Sequence, residues 1–199
     1  MTTGRIITRG ETAASNANIA NLITIARILL APVFIVLLLS DGGEFGTVRY
    51  IAAALFALAI ATDSLDGYLA RSRNLITDLG KILDPIADKV LIGSALICLS
   101  ILGELWWWVT ILILVREFGI TIFRFFALRN RVIAATWSGK AKTVVQAIAV
   151  SLLLFPFWQF VGEWYLWAGW AAMALALVLT LSSGIDFLVK AWKLGRVAT

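Results

Sequence analysis

The sequence predicts an all-α integral membrane protein: a bundle of six transmembrane helices with a polar cavity open to the cytoplasmic side. Three observations lead there. Of the 199 residues, 61% are hydrophobic, more than a soluble domain of that length needs to fill one core. Apolar tracts recur six times, each close to the ~20 residues that span a bilayer as a helix. Carboxylates also stand inside these tracts, where a charge at mid-helix costs roughly 2.5–3.5 kcal/mol unless water or a partner reaches it.

The tracts cover 22–40, 48–70, 86–103, 105–128, 143–160 and 164–189. Residues 1–20 are polar and open with no apolar segment, so they are expected as a cytoplasmic arm and not a cleaved signal peptide, with 21–199 forming one domain. Connections at 41–49, 103–105 and 160–164 hold Asp41, Glu44, Glu104 and Glu163 against the single Arg49. The other side collects Arg5, Arg9, Arg71, Arg73, Lys81, Arg129, Arg131, Lys140, Lys142, Lys190, Lys193 and Arg196. Basic loops stay inside, so both termini are expected in the cytoplasm of a multi-pass cell-membrane protein. Trp106, Trp107, Trp108, Trp158, Trp164 and Trp167 then fall at outer ends, as interfacial aromatics do. Cys98 has no second cysteine to pair with and offers no thiolate metal site. The net charge of +5 is accounted for by anchoring at the inner face, and a nucleic-acid partner is not expected.

Several tracts have an uninterrupted apolar part shorter than a bilayer. In the second it covers 50–62, about 20 Å of helix against a hydrocarbon core of ~30 Å. A full crossing draws Asp63 and Asp66 below the inner headgroups, with Arg49 and Arg71 anchoring at opposite surfaces. The third places Asp84 and Asp88 before an apolar 90–102, and the first places Asn21, Thr24 and Arg27 before 28–39. Arg116 and Glu117 lie well inside the fourth. A cavity in which these groups face one another relieves their cost; helix ends dipping into water are the plainer alternative.

Asp63 and Asp66 are i,i+3 neighbours, and Gly67 and Ala70 continue the same face without bulk. That leaves a close approach for a ligand, or equally for a packed helix. Arg71, one turn beyond Gly67, adds a fork suited to phosphate oxygens. Asp84 before Pro85 reads as N-cap and N1 of the third helix, with Asp88 one turn inside and Gly80 one turn back. The connection 72–83 would bring the two acidic segments together as a hairpin. Four carboxylates without histidine or thiol suit hard ions, Mg²⁺ or Mn²⁺, and two such ions suit phosphoryl transfer. Asp88, the deepest acid of its segment, is the candidate general base.

Taken whole, Asp63-x-x-Asp66-Gly67-x-x-Ala70-Arg71, eight residues, then Gly80-x-x-x-Asp84-x-x-x-Asp88 resembles the signature of the CDP-alcohol phosphatidyltransferases at every position. The opening N-I-A-N-L-I-T-I-A-R, residues 18–27, is similar to the family's N-I-P-N-x-x-T-x-x-R, with Ala20 in place of proline. The resemblance implies that Asp63, Asp66, Asp84 and Asp88 bind two divalent ions and that Asp88 deprotonates the acceptor alcohol. It implies a CDP-diacylglycerol donor, held by Asp66, Gly67, Ala70, Arg71, Thr77 and Gly80 with Asn21 and Thr24. It also implies a homodimer among membrane lipids.

For the acceptor, V-R-E-F-G-I-T-I-F-R and W-S-G-K-A-K-T-V-V-Q look like the corresponding segments of phosphatidylglycerophosphate synthases. Arg116, Arg124, Lys140 and Lys142 are then candidates for an acceptor-phosphate pocket, unless the lysines only enforce topology. The expected reaction joins CDP-diacylglycerol and sn-glycerol 3-phosphate to give phosphatidylglycerophosphate and CMP. Another acceptor, giving cardiolipin or phosphatidylinositol phosphate, is the alternative within the family. Outside it, the rival is a cation transporter, against which the acids cluster at one depth and no acid-bearing inverted repeat is visible.

Overall fold

The computed structural model describes the backbone of residues 19–72, 78–127 and 137–196, and within them the side chains of 24–62, 86–87, 89–123 and 141–192. The described elements are all helical: α1 Ile19–Asp41, α2 Thr47–Ser72, α3 Asp78–Ile101, α4 Trp107–Ala127, α5 Trp137–Leu154, α6 Trp158–Val161 and α7 Trp164–Arg196. Six are long and match the six apolar tracts; α6 is a single turn. By length and composition, Thr24–Asp41 in α1 and Trp164–Trp192 in α7 suffice to cross a membrane. The apolar parts of α2, α3 and α5 are shorter, Thr47–Thr62, Lys89–Ile101 and Ala141–Leu154, in keeping with the polar residues the sequence places in those helices.

Two boundaries differ from expectation. Helix α3 starts at Asp78, so the α2–α3 connection is 73–77 rather than 72–83, and Asp84 and Pro85 lie inside the helix instead of capping it. An apolar tract marks only the part of a helix that meets lipid, whereas the helix runs on until its backbone groups find other partners. Pro85, the eighth residue of α3, forfeits one ladder bond, which a membrane helix tolerates where neighbouring groups satisfy the freed carbonyl. The tract 143–160 is likewise not one helix. Pro156 disfavours helical backbone at Phe155, so α5 stops at Leu154 and Trp158–Val161 forms its own turn before Gly162 (φ +96°) and α7.

Helix α1 packs against both α2 and α3, and α5 packs most extensively against α7. Phe34, Leu38, Phe56, Leu91, Leu96, Leu99, Ile113, Val150, Leu154 and Met173 fill the core, with Ala52, Ala53, Ala95, Ala149 and Ala176 fully buried between them. Without a hydrophobic drive between helices in lipid, small residues let backbones approach and dispersion holds them. At Gly169 a Cβ would stand 3.1 Å from Leu153 Cδ2, so that glycine sets the α5–α7 separation. Elsewhere apolar side chains face outward in number, including Leu29, Val36, Leu58, Val115, Val178 and Trp167.

The end of the bundle that holds the α1–α2 and α3–α4 turns is tied together by polar groups. The Asp41 carboxylate accepts the Phe45 and Gly46 amides at 3.2 and 3.1 Å, closing the α1–α2 turn and holding Phe45 at φ 54°. After α3, the Glu104 amide reaches Leu99 O and the Gly103 amide reaches Ser100 O, a Schellman stop with Gly103 at φ +74°.

Arg49 is fully buried, so it is not the headgroup anchor its place in the sequence suggests. Its Nε donates to Leu154 O at 2.9 Å and its Nη2 to Leu153 O at 3.2 Å, capping the C-terminus of α5. Nη1 and Nη2 also grip both oxygens of Glu104, and the guanidinium lies 5.3 Å from the Phe45 ring centroid. Burial pushes the Glu104 carboxyl up from its ordinary range; Arg49 opposes that rise and the Asp41 charge adds to it. The pair is therefore one that costs desolvation and is held by geometry. Arg49→Ala is expected to cost about 3–5 kcal/mol, seen as a lower thermal-unfolding midpoint in detergent, because it strands a buried carboxylate. The double variant Arg49→Met/Glu104→Leu should lose clearly less; an equal loss would show that the charges are not coupled.

Candidate functional site

The Arg49–Glu104 pair sets the N-terminal end of α2 beside the C-terminal end of α3. It therefore serves as a common origin for distances along both helices. At ~1.5 Å per residue, Asp63 and Asp66 stand roughly 21 and 26 Å from Arg49, while Asp88 and Asp84 stand roughly 20 and 26 Å from Ile101. Counted along each helix, the two acidic pairs thus stand at similar distances from the end that holds the Arg49–Glu104 pair. The five residues between Ser72 and Asp78 allow at most roughly 20 Å between the inner helix ends. On α1, Arg27 and Thr24 fall roughly 21 and 26 Å from Asp41. Their side chains are buried, 3% and 4% exposed, facing the protein and not the surroundings.

Of the residues singled out by sequence, Thr24, Arg116 and Lys142 have described side chains. Those of Asn21, Asp63, Asp66, Gly67, Ala70, Arg71, Gly80, Asp84, Asp88, Arg124 and Lys140 lie outside the described residues, as does Thr77 altogether. Among the described residues no three acidic, histidine or cysteine side chains gather at one point. The donor set still restricts the chemistry: the chain has no histidine, and its one cysteine, Cys98, is buried in the apolar core. Oxygen donors are what remains, and they fit Mg²⁺ or Mn²⁺.

Next to the acidic helix ends, α4, α5 and α7 build a polar cluster. The Glu117 carboxylate takes both cations: Arg116 Nη1 donates to Oε1 at 2.9 Å, and Lys142 Nζ donates to the same oxygen. Arg116 Nη2 continues to Ser183 Oγ at 2.6 Å. Lys142 is buried at 5%, and Gln146, one turn along α5, at 2%. A void of about 20 Å³, enough for one water, is lined by Lys89, Glu117, Lys142, Thr143 and Gln146. Lys89 follows Asp88 directly on α3, so this void connects the cluster to the acidic segment.

Arg116 and Lys142 are therefore brought together as expected, yet as partners of one carboxylate. What sequence reasoning missed is the part of Glu117 as their shared counter-ion, and the contribution of α7. Thr180, Ser182, Ser183 and Gly184 in an otherwise apolar helix were the available signal. Glu117→Ala should remove the counter-ion shared by the buried Lys142 and the half-buried Arg116 and cost about 3 kcal/mol, seen as a lower thermal-unfolding midpoint. Adding Lys142→Met should restore part of that stability; a further drop would mean the lysine is held by something other than Glu117.

The family model described as CDP-alcohol phosphatidyltransferase matches residues 17–182. A protein of Mycobacterium tuberculosis named probable phosphatidylglycerophosphate synthase is 46% identical over 189 residues, covering 95% of this chain and 87% of the relative. A Bacillus subtilis protein named CDP-diacylglycerol–glycerol-3-phosphate 3-phosphatidyltransferase is 40% identical over 186 residues, covering 88% and 96%. A Salmonella paratyphi A protein of the same name is 35% identical over 177 residues, covering 86% and 93%.

Proposed function

We propose that this chain, which belongs to the CDP-alcohol phosphatidyltransferase family, transfers the phosphatidyl group of CDP-diacylglycerol to sn-glycerol 3-phosphate at the inner end of a six-span bundle. The observation that carries the reading is positional. Counted by helical rise from the Arg49–Glu104 end, two acidic pairs stand at similar distances along α2 and α3, and Arg116 and Lys142 meet at Glu117 beside Lys89, the neighbour of Asp88. The names of the relatives support the choice of donor and acceptor.

In this mechanism the donor keeps its acyl chains in lipid while its headgroup enters from the cytoplasmic side. Gly67, Ala70 and Gly80 leave room for the cytidine nucleotide, and Arg71 and Thr77, with Asn21 and Thr24 from α1, hold it. Asp63, Asp66, Asp84 and Asp88 would hold two divalent ions, which when bound screen the diphosphate and its leaving oxygen. Arg116, Arg124, Lys140 and Lys142 bind the acceptor's phosphate monoester, a dianion that needs several cations in so apolar a setting. Asp88 takes the proton of the acceptor's primary hydroxyl. The hydroxyl oxygen then bonds to the phosphorus that carries diacylglycerol, and the bond from that phosphorus to CMP breaks with its electron pair leaving on CMP.

Purified protein given CDP-diacylglycerol and labelled glycerol 3-phosphate should release CMP and form labelled lipid, and chelation should abolish both. Asp88→Asn should lower kcat by roughly 100-fold or more, and Arg124→Ala should raise the acceptor KM more than the donor KM. Turnover that survives chelation or Asp88→Asn contradicts the mechanism. Faster release with phosphatidylglycerol or an inositol phosphate would reassign the acceptor, and ion flux without CMP release would indicate a transporter.

A further inference from the structure

Helix α7 supplies two residues to the polar cluster, and both lie beyond the 17–182 segment matched by the family model. Ser183 is 6% exposed. Its hydroxyl donates to Thr180 O at 3.1 Å, one turn back, which leaves its lone pairs aimed across to α4, where Arg116 Nη2 donates to it at 2.6 Å. Gly184 is the notch beside it. A Cβ there would stand 3.2 Å from Arg116 Cγ, 3.3 Å from Arg116 Nε and 3.7 Å from Ile120 Cδ1. The arginine stem thus crosses α7 through space that only glycine leaves open.

Together the two residues determine where the guanidinium points. Nη1 is fixed by Glu117, Nη2 by Ser183, and the stem by the absence of a side chain at Gly184. One buried nitrogen is left unsatisfied: Arg116 Nε has no hydrogen-bond partner among the described residues. A buried donor without a partner is costly, and such groups concentrate where a ligand supplies the missing acceptor.

We propose that Ser183 and Gly184 are positioning residues for the acceptor, aiming Arg116 at its phosphate, so that α7 sets the affinity for phosphorylated alcohols without touching the CDP-linked donor. This rests on the assignment of Arg116 to the acceptor pocket. A charge-assisted hydrogen bond held in a fixed direction is lost when its partner goes, whereas a merely structural contact would affect both substrates alike.

The test uses the full chain in lipid nanodiscs, varying glycerol 3-phosphate and CDP-diacylglycerol separately. Ser183→Ala and Gly184→Ala should each raise the glycerol 3-phosphate KM by roughly tenfold while the donor KM and kcat stay within about twofold. Ser183→Thr, which keeps the hydroxyl, should restore the acceptor KM to within about twofold of the parent. In an Arg116→Lys background, Ser183→Ala should add nothing. If Arg116→Lys raises the acceptor KM but neither α7 variant does, the inference falls and the acceptor pocket stands. If Arg116→Lys itself leaves the acceptor KM unchanged, the pocket falls and the inference with it. Both KM values rising together, or loss of folded protein in all three α7 variants, would make the pair structural and overturn the proposal.

Discussion

The arrangement depends on one guanidinium buried where no water reaches it. Arg49 is held by Glu104 and by the carbonyls of Leu153 and Leu154, which joins α2, the α3–α4 connection and the end of α5 at one point. In an apolar surround an unpaired charge is prohibitive, so this pairing cannot slide by a turn without stranding a donor or an acceptor. It therefore fixes the axial position of the start of α2 against the connection that follows α3, while along their length both helices pack on α1. Everything argued for the inner end, some 20–26 Å away by helical rise, inherits that register.

The two ends of the bundle use charge differently. At the end that holds the α1–α2 and α3–α4 turns, polar groups are matched by protein: Asp41 by the amides of Phe45 and Gly46, Glu104 by Arg49, and Ser100 by Thr110 at 2.7 Å. Further along the bundle, Glu117 gathers Arg116 and Lys142, so two cations are held in largely apolar surroundings by an internal anion. Beyond that cluster come the helix positions of four aspartates.

Much of this was legible from the chain. Six long helices follow from six apolar tracts, and the acidic spacing 63, 66, 84, 88 was visible because helical periodicity turns residue number into position. The apolar span of α2 ending at Thr62 already implied that the helix continues through Asp63 and Asp66, as it does to Ser72. What escaped depends on single residues acting against the bulk pattern. Phe155, Phe157, Trp158 and Phe160 kept the fifth tract apolar, which hid the break that Pro156 imposes. Arg49 looked like a surface charge because sequence shows a residue's neighbours along the chain and not the carbonyls, 104 and 105 residues away, that satisfy it. Ser183 and Gly184 stood out as small polar breaks in an apolar helix, but their meaning is supplied by an arginine on another helix.

The central claim is that the register set at Arg49 brings the acids of α2 and α3 to one place. Titrating the detergent-solubilised protein with Mn²⁺ and recording its electron paramagnetic resonance tests this directly. Two ions per chain with a spin-coupled spectrum are expected, and the coupling should vanish equally in Asp66→Asn and in Asp84→Asn, one from each helix. A single uncoupled ion, or coupling that survives either substitution, would contradict the account.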